Sequence, residues 1–252
     1  MKNIKNNLGL FILFLILMGI IGFIYIKNNN KKPVPVKKEE ISYTEKEIEN
    51  IYNLIDLSFE EESSLSNDEL LSLDKGMTKD KLFDEYILAI AISNIDIKKY
   101  RKENLAKDIV DNEGYVYKGI YIEEGKINVR ANEIFKDIKF NHKTVKFVNK
   151  KYVYDASRKI YRVYEKAYKP TIDKVTYIES SWDNEYIYIT EYVAYTRLNS
   201  NPQTSYTRHN NMLPINITDT NIIENLDIID KYKYTFKVED KNYYLEKIEY
   251  VK

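Results

Sequence analysis

The apolar positions of the chain begin as one unbroken block. From Leu8 to Ile26 no charged side chain occurs, and a run of this length, rising about 1.5 Å per residue, matches the ~30 Å hydrocarbon layer of a bilayer. Residues 8–26 are therefore expected to cross a membrane as one helix. Lys27 to Glu40 has no apolar period and contains Pro33 and Pro35, so it reads as an extended stalk.

Beyond the stalk the pattern is first helical. Thr44-Glu-Lys-Glu47 fits a capping box, and Ile48, Ile51, Tyr52, Ile55 and Phe59 recur every three or four residues, predicting a helix over about 45–60. Ser66-Asn-Asp-Glu69 is a second capping box ahead of Leu70, Leu71 and Leu73, and Gly76 stops that helix. A third helix, capped by Thr78, carries Leu82, Phe83, Tyr86, Ile87 and Ile90 and ends in the wholly apolar Ile87 to Ile92. A weaker helix is expected over 98–110.

The period then shortens to two. Tyr115 to Ile122 and Lys126 to Arg130 flank Glu123 to Lys126 as a hairpin, followed by a short helix from Ala131 to Ile138. Lys151 to Tyr154 pairs with Ile160 to Glu165, and Thr171 to Glu179 with Glu185 to Arg197. In the last of these strands Ile187, Ile189 and Val193 share one face, and Tyr186, Tyr188 and Tyr192 the other. Asn199 to Thr220 reads as a long loop and Asn221 to Ile229 as a short helix. Tyr232 to Glu239 and Tyr243 to Val251 form a closing hairpin. Helices first and antiparallel strands afterwards give an α+β class. The organisation is thus a tail and anchor over 1–26, a basic stalk over 27–42 and one α+β domain over 43–252, helical to 112 and mainly β from 113.

Charge changes the picture at the anchor. The run ends without a small-x-small cleavage site and the chain has no cysteine, so an uncleaved, unacylated anchor is expected. Lys2 and Lys5 precede it, whereas Lys27, Lys31, Lys32, Lys37 and Lys38 follow it and would sit at the headgroups. Counted by the positive-inside rule these lysines favour a cytoplasmic domain. The plan of a short tail, one span, a stalk and a large domain favours export to the outer face, which is the expectation adopted. Overall, 39 basic and 39 acidic residues balance, which argues against a nucleic-acid partner. Residues 43–85 are locally acidic, with 13 acids against four lysines. The excess of Tyr, Lys, Asn and Ile follows from A/T-rich codons.

Candidate chemistry is sparse. His142 and His209 are the only histidines and no cysteine accompanies them, so no metal or other cofactor is expected. Ser72-Leu-Asp-Lys75 matches S-x-x-K, without the S-D-N and K-T-G elements that accompany it in acyl-transferases. The acids of Glu60-Glu-Glu62 and Glu123-Glu124 read as solvated, and the basic cluster Lys98 to Lys102 as an exposed helix face. Trp182, at a strand tip, and Tyr206, Arg208 and His209, on the long loop, are residue types that dominate interfaces and stack on sugars. They are the candidate ligand or partner contacts, for another envelope protein or a glycan.

In plan, the anchor Leu8 to Ile26, the stalk Lys27 to Glu40 and the closing hairpin Tyr232 to Tyr250 resemble uncharacterised single-span membrane-anchored proteins of low-GC Gram-positive bacteria. That resemblance implies a cystatin-like or NTF2-like domain of the kind found in secretion and conjugation scaffolds, with a binding role and no catalytic residue. A non-catalytic extracytoplasmic interaction or ligand-binding domain is the leading expectation. A cell-envelope hydrolase, or a cytoplasmic regulatory domain on an inverted anchor, is the alternative.

Overall fold

The computed structural model describes residues 42–251. The expected span over 8–26 and stalk residues Lys27, Lys31, Lys32, Lys37 and Lys38 lie outside the described residues. Among the described residues no helix is long and apolar enough to cross a membrane.

Three successive capping boxes build the helical start. In α1 (Glu45–Tyr52) the Thr44 hydroxyl accepts from the Glu47 amide, and the Glu47 carboxylate accepts from the Thr44 amide at 2.8 Å. The helix ends well short of residue 60, because Ser58 and Glu61 form a second box that restarts the chain as α2 (Phe59–Glu62). Ser66 and Glu69 then cap α3 (Asn67–Asp74), which stops at Gly76, where φ is +78°. The strand β1 (Met77–Thr78) follows. Thr78 does not cap the next helix: a 3₁₀ turn over Lys79–Lys81 intervenes, and α4 (Asp84–Ser93) starts after Phe83. Every residue of α4 from Tyr86 to Ile92 is buried.

Two expected elements differ in kind. Instead of a helix over 98–110, a 3₁₀ turn (Ile97–Lys99) leads into β2 (Arg101–Lys102) and β3 (Ile109–Val110), both paired to β4 (Val116–Glu123). The segment offers no apolar stripe that would hold a helix, and strand pairing takes it. Nor does β4 turn back on itself. It passes directly into α5 (Glu124–Phe135), whose buried Ile127, Ala131, Ile134 and Phe135 follow the helical period across the region read as a second strand.

The remaining strands are β5 (Val145–Lys146), β6 (Lys150–Asp155), β7 (Ile160–Glu165), β8 (Ile172–Trp182), β9 (Tyr186–Arg197), β10 (Thr204–Tyr206), β11 (Asp230–Glu239) and β12 (Asn242–Tyr250). The hairpins β6–β7, β8–β9 and β11–β12 stand where the alternation places them. The long loop contains β10, and the expected helix near its end is only a 3₁₀ turn over Ile222–Asn225. One antiparallel sheet runs β1-β12-β11-β9-β10 with β8 also on β9; the other runs β2-β4-β7-β6-β5 with β3 on β4. The helices α4 and α5 pack together, and α5 lies against both β12 and β4. One apolar cluster therefore extends from α1 and α4 through both sheets. A second, on the opposite face of the first sheet, joins Val175, Tyr192 and Ala194 to Leu213, Ile217 and Ile222 of the long loop.

Candidate functional site

The core face of the first sheet contains charges. Strand alternation that turns Ile187, Ile189 and Val193 inward also turns Glu191 inward, and on β8 the same period carries Lys174 in phase with Ile172 and Ile178. Lys174 Nζ donates to Glu191 Oε1 and Asp56 Oδ1, both at 2.8 Å, and to the Leu57 carbonyl at 2.9 Å. Glu62, from the end of α2, lies 3.5 Å from the same ammonium and accepts from Arg208 at 3.0 Å. The Arg208 guanidinium also sits 3.7 Å from Glu191 and 3.9 Å from the centre of the Tyr232 ring.

These four side chains are sequestered: the exposures of Lys174, Glu62, Arg208 and Glu191 are 9%, 9%, 5% and 1%. Two cations face two carboxylates, with Asp56 completing the group from a more exposed position. Tyrosines satisfy what the ions leave over. Tyr52 and Tyr234 donate to Glu191 at 2.6 and 2.7 Å, and Tyr195 donates to Glu62. Arg208 Nε has no hydrogen-bond partner. Arg208, Lys174 and Glu62 line a partly open crevice of about 10 Å³, room for one water molecule.

The network fixes its own protonation. Burial works to raise the Glu191 pKa, but Lys174 and Arg208 outweigh it and bring the carboxyl down to about 2. Burial works to lower the Lys174 pKa, but Glu191 and Glu62 outweigh it and hold it well above the ordinary lysine value. Burial, together with neighbouring Glu191, keeps Tyr234 protonated. Glu191 is thus held ionised, and Lys174 and Tyr234 protonated.

Of the four sequence-predicted contacts, three come together. Tyr206 pairs with Tyr195 on β9, Arg208 enters the ion network, and His209 bonds Asp74, which also accepts from Tyr232 at 2.6 Å. Trp182 does not join them. It faces Ile187 at the opposite end of β9 from Tyr195, about 25 Å away along the strand, and packs edge-on against Tyr43 with ring centres 5.5 Å apart. Glu62, read as solvated, is buried because α2 is a separate turn that aims it at Arg208. Ser72 is tied to its own helix, donating to the Asp68 carbonyl at 2.7 Å. The lysines Lys98, Lys99 and Lys102 are exposed on the turn and strand that replace the expected helix. Among the described residues no three His, Asp or Glu side chains converge as a metal site requires. Lys174 and Glu191 were missed, yet a signal existed: each is a charge in phase with the apolar face of its strand.

Comparison of the chain with family models, curated proteins and solved structures finds no match.

Proposed function

We propose that the chain is a non-catalytic, membrane-anchored interaction domain displayed at the outer face of a bacterial membrane. The observation that carries this reading is the closed ion network: the space between α1, α4 and the first sheet, where a reaction centre would need exchangeable groups, is filled by Lys174, Arg208, Glu62 and Glu191 neutralising one another. The strand order β1-β12-β11-β9-β8, with Tyr52 and Tyr86 brought by the helices to the face that holds Glu191, supports a cystatin-like or NTF2-like description of this half.

The uncovered half of the outer face offers the contact surface. Tyr186 and Tyr188 stack with ring centres 6.3 Å apart, and Lys233 lies 4.3 Å over Tyr188. Tyrosine is among the residue types that dominate binding hot spots, and the lysine beside the tyrosines suits the face to an envelope protein or an acidic glycan. The test is photo-crosslinking in intact cells from an unnatural residue at Tyr188, with externally added protease as a second arm. A defined adduct weakened by K233E, on a domain cleaved from outside, is expected. Protection from protease would overturn the exported location, and the absence of any adduct would overturn the contact surface.

A further inference from the structure

Beside the ion network, on the side of the long loop, lies an open pocket of about 300 Å³, at the lower end of the range for small-ligand sites. Phe59 and Tyr195 form an aromatic corner, ring centres 5.6 Å apart, and Ile172 and Tyr206 extend the apolar wall. Two guanidinium groups line it. That of Arg208 is committed to Glu62 and Glu191. That of Arg197 is not: it lies 4.3 Å over the Tyr206 ring, its one hydrogen bond is a 3.4 Å contact to Asn210 Oδ1, and it pairs with no carboxylate among the described residues. A guanidinium carries five N–H donors in a planar fork suited to bidentate capture of a carboxylate. Contact with the Tyr206 ring restrains the guanidinium, and the single contact to Asn210 leaves most of its donors available.

We propose that this pocket binds a small organic carboxylate with an aromatic or branched aliphatic body, Arg197 taking the carboxylate and the Phe59–Tyr195 corner the body. One uncommitted cation matches one negative charge. A phosphate dianion would call on a second cation, and Arg208 is already neutralised. The volume admits a body of about one ring. The inference rests on the reading of the domain as a binding module, and it concerns a surface separate from the tyrosine and lysine face of the sheet.

The test is ligand-observed saturation-transfer NMR on the full chain in zwitterionic nanodiscs, with empty nanodiscs as control. The probes are phenylacetate, 4-methylpentanoate, their neutral amides and phenyl phosphate. Phenylacetate or 4-methylpentanoate is expected to bind at least about tenfold tighter than its amide, and Arg197→Gln to remove that preference while leaving amide binding unchanged. Tyr206→Leu should weaken the carboxylate more than the amide, since it releases the fork. Absence of binding by both carboxylates up to about 10 mM, equal binding of acid and amide, a preference that survives Arg197→Gln, or tighter binding of phenyl phosphate would each overturn the assignment. Loss of binding here with crosslinking from Tyr188 intact sinks the pocket alone. Loss of the crosslink with carboxylate binding intact sinks the protein-contact surface alone.

Discussion

Replacing Glu191 with glutamine preserves the shape of the side chain and one acceptor oxygen while removing its charge from the centre of the ion network. Lys174 then keeps Asp56 at 2.8 Å and Glu62 at 3.5 Å, and Arg208 keeps Glu62, so two buried cations share one buried carboxylate. The pKa of Glu191 falls from its ordinary 4.5 to about 2 in the fold. At roughly 1.4 kcal/mol per pH unit this drop corresponds to about 3 kcal/mol of stabilisation by the ionised form. That agrees with the ~3–5 kcal/mol typical of breaking a buried pair by removing one partner. A folded-state pKa below the unfolded one means that the stabilisation is fully present above about pH 4.5 and disappears as pH falls toward 2. E191Q should therefore be less stable than the parent by about 3 kcal/mol at pH 7, and the gap should narrow between about pH 4.5 and pH 3. Urea unfolding followed by the emission of Trp182, the single tryptophan, supplies the assay, with pulse proteolysis as the independent reading. A variant within about 1 kcal/mol of the parent at pH 7, or a gap that stays constant on acidification, would refute the reasoning.

Exchanging both halves of one pair, as in Lys174→Met with Glu191→Leu, should cost at least about 2 kcal/mol less than the sum of the single changes; a double-mutant cycle in urea measures the coupling. Gly119→Ala should lower Tm by roughly 5 °C or more, because the residue sits at φ +81° and its new Cβ would collide with the Glu103 carbonyl; calorimetry decides. His142 is neutral in the fold, its Nε2–H donating to Asn128 Oδ1 at 3.0 Å and its Nδ1 accepting from the Tyr161 hydroxyl at 2.7 Å. Burial depresses its pKa against the pull of Glu124 and Asp84, so its contribution is present above about pH 6.5 and is lost as pH falls below that value. In His142→Gln the slope of stability between about pH 7 and pH 5 should flatten, as read from denaturant midpoints across that interval.

Local chemistry made much of the fold legible. The Thr44 and Ser66 capping boxes, the apolar block ending at Ile92 and the three hairpins with clear alternation all appear as read, because each is decided by neighbours within a few residues. The errors fall where two signals compete. Lys126 to Arg130 can be read as a strand, but Ile127, Ala131 and Ile134 also fit a helix, and packing against α4 and β4 decides for the helix. The candidate site was legible only in fragments. Tyr206, Arg208 and His209 drew notice by residue type, whereas Glu62, Lys174 and Glu191 join Arg208 in one network through contacts spanning 17 to 146 residues. No local pattern encodes such a meeting, although an acid in phase with Ile187, Ile189 and Val193 announces that something must neutralise it.

The pairing of Met77 with Ile248 bears on the order in which the molecule can assemble. β1 finds its partner only in the last strand, and the whole second sheet is inserted between α4 and β8. A chain that emerges from its N-terminus thus presents α1 to α4 with their apolar faces uncovered, and β11 and β12 arrive last to cover them. Until then Glu62 waits for Arg208 and the helices have no sheet to lie on. The first sheet can close only once the last hairpin of the chain is available.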